Sequence, residues 1–392
     1  MNGVDVPLTL YVHLPWCERK CPYCDFNSHP APGPLPEREL LAALRRDLAE
    51  EAARGPCRPV HAVYFGGGTP SLLSPAFYRG LLEAVRGRLR LAPGVEITIE
   101  ANPGTVDRGW LRAMRRLGVN RLSLGVQSLD DAMLRALGRI HDAAAARAAV
   151  REARAAGFDN LNIDLMYGLP GQDREAAEAD LEAALALAPD HVSYYQLTLE
   201  PGTAFHRRPP PLPGDDALWA MQLAGERRLR RAGLVRYEVS AYARPGRRCR
   251  HNLNYWRFGD YLGVGPGAHG KRTAADGTVL RRAKPRAPAA YLAGAPVREE
   301  AVAGPMLALE FALNALRLPG GFERDLWRRR TGRPWAELGR RLARPAALGL
   351  VRLGPRVRPT RRGLRHLDGL LALMVETVPG EARDAALSAD PL

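Results

Sequence analysis

The regular alternation of short apolar runs with helix-like stretches constrains this chain more than any other feature. Runs at 8–14, 62–65, 96–100, 121–126, 160–166 and 191–198 are short, and most are rich in Val, Ile, Leu or Tyr. Between and after them, 37–54, 74–90, 107–117, 143–156, 174–188 and 215–232 carry Ala, Leu, Glu and Arg at helical spacing. Ser74 before Pro75, Thr105 with Asp107, and Gly118 or Gly157 past a last turn supply helix starts and stops. Six β–α repeats of this size predict a parallel α/β sheet, open or rolled into an incomplete barrel. Ligands of such a sheet gather at the C-terminal strand ends, where loops converge while helices cover the outside.

The residues able to do chemistry fall at those ends. The loop after the first run carries Cys17, Cys21 and Cys24 at CxxxCxxC spacing. Three thiolates suit three corners of a cubane iron–sulfur cluster and leave the fourth iron open to a ligand. A zinc site would want a fourth protein ligand, which His13 or His29 could supply. A disulfide framework fits poorly, because five cysteines in 392 residues are neither even nor dense and the chain opens without an apolar signal segment. The iron–sulfur reading is preferred. Cys57 and Cys249 read as free buried thiols.

Gly66-Gly67-Gly68-Thr69-Pro70 ends the second run. It lacks both the Gly-Lys-Ser/Thr of a phosphate loop and the spacing of a dinucleotide fingerprint. Its glycines permit close backbone approach to a ligand. Glu100, Gln127, Asp164 and Thr198 end the next four runs. The first three can accept hydrogen bonds from ribose hydroxyls or an ammonium, and Arg139 can clamp a carboxylate bidentately. Taken singly, Arg139 or Asp164 reads as a salt-bridge residue. Together the set fits a small zwitterionic nucleoside beside an open iron, which is S-adenosylmethionine.

A chain of 392 residues accommodates one large domain and one smaller one. Hydrophobic content of 46% with 25% charged residues fits a soluble globular protein, and no apolar run reaches bilayer length. The net charge of +15 is uneven, with fourteen arginines against four acids between Gly321 and Asp368. Such a patch could face nucleic acid, an anionic membrane or an acidic partner, or it only keeps the surface soluble. The expected organisation is a core over 1–240, a loop-rich extension covering the barrel mouth over 241–295, and a further domain over 296–392. In that last domain, helices at 306–318 and 335–342 precede a basic hairpin in winged-helix manner.

The cysteine loop, with Tyr23 before its last thiol, resembles the radical SAM superfamily. The stretches 11–17, 24–28, 64–71, 124–128, 162–171, 194–198, 251–256 and 263–269 narrow the resemblance to its coproporphyrinogen III dehydrogenase-like branch, and within that to the haem chaperones. The resemblance implies a partial (β/α)6 barrel with a smaller, mostly helical C-terminal domain. It implies a [4Fe–4S] cluster on Cys17, Cys21 and Cys24. Tyr11, Tyr23, Gly67, Gly68, Thr69, Glu100, Gln127, Arg139, Asp164 and the backbone around Thr198 would then surround S-adenosylmethionine.

Two departures bear on activity. Phe26 stands where dehydrogenases of this branch carry an additional cysteine, and only 16 residues precede Cys17, which leaves little material to close over a large substrate. Both favour haem trafficking. In the HNxxYW stretch, His251 or Tyr255 could ligate haem iron and Trp256 could pack on the macrocycle, although a buried structural pair reads comparably. His206 and His269 are lesser ligand candidates, and Arg247, Arg248 and Arg250 could neutralise haem propionates. The expectation is a cytoplasmic haem chaperone, with a peripheral contact at the inner membrane, that passes haem to respiratory haemoproteins. An electron donor is implied if S-adenosylmethionine is cleaved. The alternatives are an oxygen-independent coproporphyrinogen III dehydrogenase and, less favoured, an RNA-modifying radical enzyme.

Overall fold

A computed structural model of the chain describes residues 6–31, 33–55, 58–302 and 304–375. Cys57 lies outside the described residues. Six parallel strands follow one another in chain order across one sheet: β1 (Leu8–Leu14), β2 (Val60–Gly67), β3 (Leu91–Ala101), β4 (Arg121–Gln127), β5 (Leu161–Tyr167) and β6 (His191–Gln196). Helices α1 (Glu37–Ala53), α2 (Pro75–Arg88), α3 (Arg108–Leu117), α4 (Ala143–Ala155) and α5 (Arg174–Leu185) form the crossovers, and α6 (Asp215–Arg231) follows β6. The expected caps operate: the Ser74 hydroxyl accepts from Phe77 N–H, the Asp107 carboxylate accepts from Trp110 N–H, and Gly118 ends α3 with φ +99°.

Strand alternation sorts the side chains. On β4, Leu122, Leu124 and Val126 join the helices' Phe77, Leu81 and Leu111 in one apolar core. Arg121, Ser123, Gly125 and Gln127, on the other face, line an interior cavity. The concave side is therefore polar, and the packing energy lies on the convex side.

The segment expected to be loops over the barrel mouth is instead sheet. β7 (Asp260–Val264) pairs in parallel with β1, and antiparallel β8 (His269–Thr273), β9 (Val279–Ala283) and β10 (Arg298–Ala301) widen the sheet beyond it. At the opposite edge, Ala241–Ala243 pairs antiparallel with β6. The two edges do not meet, so the barrel stays open. Hydropathy hides β7, β8 and β9 because they bury charge. Lys271 Nζ lies 2.9 Å from the Asp260 carboxylate, while Arg282 and Lys284 reach Glu51 of α1 at 3.0 and 2.7 Å.

The C-terminal region packs a separate core in which Phe311 meets the rings of Phe258, Phe322 and Trp327 edge to face. Its helices Gly304–Ala315, Arg324–Thr331 and Trp335–Ala347 precede a hairpin of Val351–Arg352 and Arg356–Pro359, and helix Leu367–Val375 closes the order. Several arginines of the basic run are paired locally: Arg328 and Arg329 with Asp325, Arg333 with Glu337, and Arg356 with Glu323. Among the described residues, no helix is long and apolar enough to cross a membrane.

Candidate functional site

Backbone hydrogen bonds shape the cysteine loop. Trp16–Cys17 pairs in parallel with His29–Pro30, and Ala31 N–H donates to Cys17 C=O at 2.8 Å, so the loop returns to its own start. The glycine loop supports it from below, with Gly68 N–H donating to Leu14 C=O (2.8 Å) and Thr69 N–H to Trp16 C=O (2.7 Å). A Cβ on Gly68 would stand 2.6 Å from the Trp16 carbonyl oxygen, and one on Gly67 would stand 2.7 Å from the His13 ring. The glycines are thus needed where the β2 loop presses on the cysteine loop, a contact within the protein. Gly67 and Gly68 also line the cavity.

That cavity, about 440 Å³, opens at the C-terminal strand ends. Of the residues named from sequence, Cys17, Cys21, Cys24, Tyr23, Gly67, Gly68, Thr69, Glu100, Gln127, Arg139, Asp164 and Thr198 all line it. Tyr11 does not. It stands one layer back, donating its hydroxyl to His13 Nδ1 at 3.0 Å and stacking on Tyr64.

Glu100 is the electrostatic centre. Its carboxylate accepts from the Tyr64 hydroxyl (2.7 Å) and from Gly67 N–H (3.2 Å). Burial, helped by the nearby Asp164, still pushes its pKa up to about 7 against those donors and the Arg121 guanidinium. Asp164, raised by burial, is held by Asn162 Nδ2 at 2.8 Å and the Ser123 hydroxyl at 3.3 Å. Gln127 sits at a bulge with φ +71°, where its carboxamide oxygen accepts from the Tyr195 hydroxyl at 2.6 Å. Arg139 donates to Gly125 C=O at 2.7 Å and points a second nitrogen at Cys21 Sγ, 3.5 Å away, while its buried Nε has no partner.

The donor set favours a cluster over one zinc. His13 is committed at both nitrogens, to Tyr11 and to Asn27 C=O (2.9 Å), and His29 Nε2 lies 3.3 Å from Asn27 Oδ1. Among the described residues, no three His, Cys, Asp or Glu side chains converge on a point that could hold a single ion. Three unbridged thiols spread along one cavity wall, beside an orphaned guanidinium nitrogen, fit a polynuclear cluster with a charged ligand next to it.

The haem-ligand candidates sit elsewhere. His251 and Tyr255 belong to a short helix, α7 (Arg250–Trp256), whose Arg250 N–H and guanidinium bond Glu96 and Gly94 at the start of β3. That is the end of the sheet opposite the cysteine loop. His251 is buried between Tyr64 and Tyr255, both ring nitrogens lack partners, and burial drives its pKa down to about 3. Trp256 is covered by the Arg317 guanidinium, 4.4 Å from its ring centre, which leaves that face closed to a macrocycle. Arg247 pairs with Asp159 at 3.4 Å, Arg248 lies over Tyr237, and neither lines the cavity. His206 and His269 are exposed and also outside it. Cys249 is buried as expected, its pKa pushed up to about 12 by desolvation. Sequence reasoning missed Tyr64, Arg121, Ser123, Asn162, Ser193 and Asn252 as cavity residues. Stepping back by twos from Gln127 and Asp164 would have found three of them.

Fold and cavity together are those of a radical SAM core, and the radical SAM superfamily model matches residues 11–184. A [4Fe–4S] cluster and S-adenosylmethionine are what that superfamily implies. The chain is 49% identical over 313 residues to the Escherichia coli (strain K12) protein named heme chaperone HemW, covering 80% of this chain and 83% of that one. It is 46% identical to the Haemophilus influenzae protein of the same name, again over 80% and 83%. It belongs to the HemW family. Among solved structures, the radical SAM enzyme coproporphyrinogen III oxidase (HemN) of Escherichia coli superposes with a TM-score of 0.80 over 94% of this chain and 90% of the other. At 24% identity that likeness shows the fold.

Proposed function

We propose that this chain is a haem chaperone that receives haem and passes it to respiratory haemoproteins, with a [4Fe–4S] cluster and S-adenosylmethionine in its barrel. Cys17, Cys21 and Cys24 would hold the cluster. Arg139, Gln127, Glu100 and Asp164 would hold the nucleoside, with Tyr23, Thr69 and the backbone at Thr198 around it. When bound, the pair supplies one-electron chemistry at the sulfonium. The chain's own contribution is to fix the thiols, present carboxylates to a cation, and exclude water behind Tyr64 and Tyr195.

The observation that carries this reading is the wall of three unbridged thiols on a cavity sized for one nucleoside-like ligand, in a chain so similar to proteins named haem chaperones. Phe26 supports it: the side chain is 61% exposed on the cavity rim, where a dehydrogenase would carry a further thiol. The cavity walls carry the residues assigned to the cluster and the nucleoside, and the haem-ligand candidates His251 and Tyr255 do not line it, so haem is proposed to bind outside it. We further place the chain in the cytoplasm, where the exposed arginines of the C-terminal hairpin would meet an anionic inner-membrane surface.

The test is anaerobic reconstitution followed by parallel assays of haem binding, haem transfer to an apo-haemoprotein, and coproporphyrinogen turnover. Transfer without decarboxylation is expected. Turnover without transfer would replace the chaperone with the dehydrogenase.

A further inference from the structure

Asn27, three residues past the last loop cysteine, gathers four contacts, three of them from separate parts of the chain. Its carbonyl accepts from His13 Nε2 at 2.9 Å. Its carboxamide nitrogen donates to Pro266 C=O at 3.0 Å and to Arg286 C=O at 2.9 Å, which uses both N–H groups, and its carboxamide oxygen meets His29 Nε2. The partners at 265–267 belong to the turn after β7, a glycine-rich motif that the cofactor site does not use.

That turn is shaped to receive Asn27. Gly267 has φ +75°, and a Cβ there would collide with the Asn27 carboxamide; one on Gly265, at φ +111°, would collide with the His13 carbonyl. The turn is itself anchored, because Gly265 N–H donates at 3.0 Å to the buried Asp47 carboxylate, which also binds Lys284 and the Tyr291 hydroxyl (2.8 Å). The cysteine loop is therefore tied, through one carboxamide, to the widened edge of the sheet and to α1.

We propose that Asn27 and the Gly265–Pro266–Gly267 turn form a latch that fixes the cysteine loop, making Asn27 a positioning residue for the three thiols. The proposal rests on the cluster-binding part of the functional reading, and it adds a reason for the second glycine motif. Loss of the latch lets the half-buried thiols swing toward solvent without opening the barrel.

The test uses the full-length chain and the variants Asn27→Ala, Gly267→Ala and their double. In the cluster-free protein, alkylation by iodoacetamide is followed cysteine by cysteine through peptide masses, with buried Cys249 as the gauge of global opening. In the reconstituted protein, extraction of iron by a chelator is timed anaerobically. Each single variant should raise both rates roughly tenfold, as expected for losing the two hydrogen bonds that tie Asn27 to Pro266 and Arg286, with Cys249 at the wild-type rate. The double variant should be no faster than either single, since one contact cannot be lost twice. Wild-type rates in either variant, multiplicative effects in the double, or Cys249 accelerating in step with the loop would each overturn the latch. A wild-type chain that takes up no cluster would sink the functional reading alone, because alkylation needs no metal.

Discussion

Glu100 should make nucleoside binding and fold stability respond to pH in opposite directions. Its pKa moves from an ordinary 4.5 to about 7 because the half-buried carboxyl is desolvated in the cavity wall, with Asp164 adding repulsion and Tyr64, Gly67 and Arg121 resisting. A carboxyl that keeps its proton in the fold while the unfolded chain gives it up costs stability as pH rises from about 4.5 to 7, and the cost is complete above 7. The displacement corresponds to about 3 kcal/mol. Cluster-free Glu100→Gln should therefore match wild type near pH 4 and exceed it by up to that amount at pH 8, read by denaturant unfolding. A cationic sulfonium nucleoside binds the ionised form. Since the ionised fraction falls about fivefold between pH 7 and pH 6, the affinity of the reconstituted protein for S-adenosylmethionine should fall by a similar factor over that unit. The assay is equilibrium dialysis at constant ionic strength. Glu100→Gln should flatten the profile. A wild-type profile flat from pH 6 to 7, or one unchanged in the variant, would refute the assignment of Glu100 as a buried carboxyl facing a cation.

Three further outcomes follow from particular contacts. Gly68→Ala puts a methyl 2.6 Å from the Trp16 carbonyl oxygen, so the backbone must shift; it should destabilise the chain by about 1–3 kcal/mol and lower iron content after reconstitution. Lys284→Met leaves the buried Asp47 carboxylate without its cation, while Glu51 keeps Arg282, and should cost about 3–5 kcal/mol in chemical denaturation, with partial recovery when Asp47→Asn is added. Haem ligation by His251 would require α7 to leave its place between Tyr64 and the start of β3, which would expose Cys249. Cys249 that stays shielded from alkylation under saturating haem places the axial ligand elsewhere.

Local pattern was enough for the six β–α units and for the residues at their strand ends. Strand periodicity and helix spacing are set by neighbours a few residues away, and a parallel sheet brings its C-terminal ends together whatever its detailed curvature. That is why Cys17, Glu100, Gln127 and Asp164, far apart in the chain, could be read as one site, and they do line one cavity. The cysteine spacing likewise carried its chemistry without a fold. Long-range contact decided the rest. The strands at 260–283 escaped notice because the charges on and just after them, Lys271, Arg282 and Lys284, are neutralised by Asp260, Glu51 and Asp47, partners that hydropathy cannot see. The side of the barrel on which His251 lies, and the cover of Arg317 over Trp256, depend on how α7 docks against β3 and the C-terminal domain. The glycines at 66–68 and 265–267 look alike as flexible punctuation in one dimension. In three dimensions Gly68 and Gly265 are places where a distant carbonyl comes too close for a side chain, and Gly67 and Gly267 pack directly on the His13 ring and the Asn27 carboxamide; chain order does not encode those meetings.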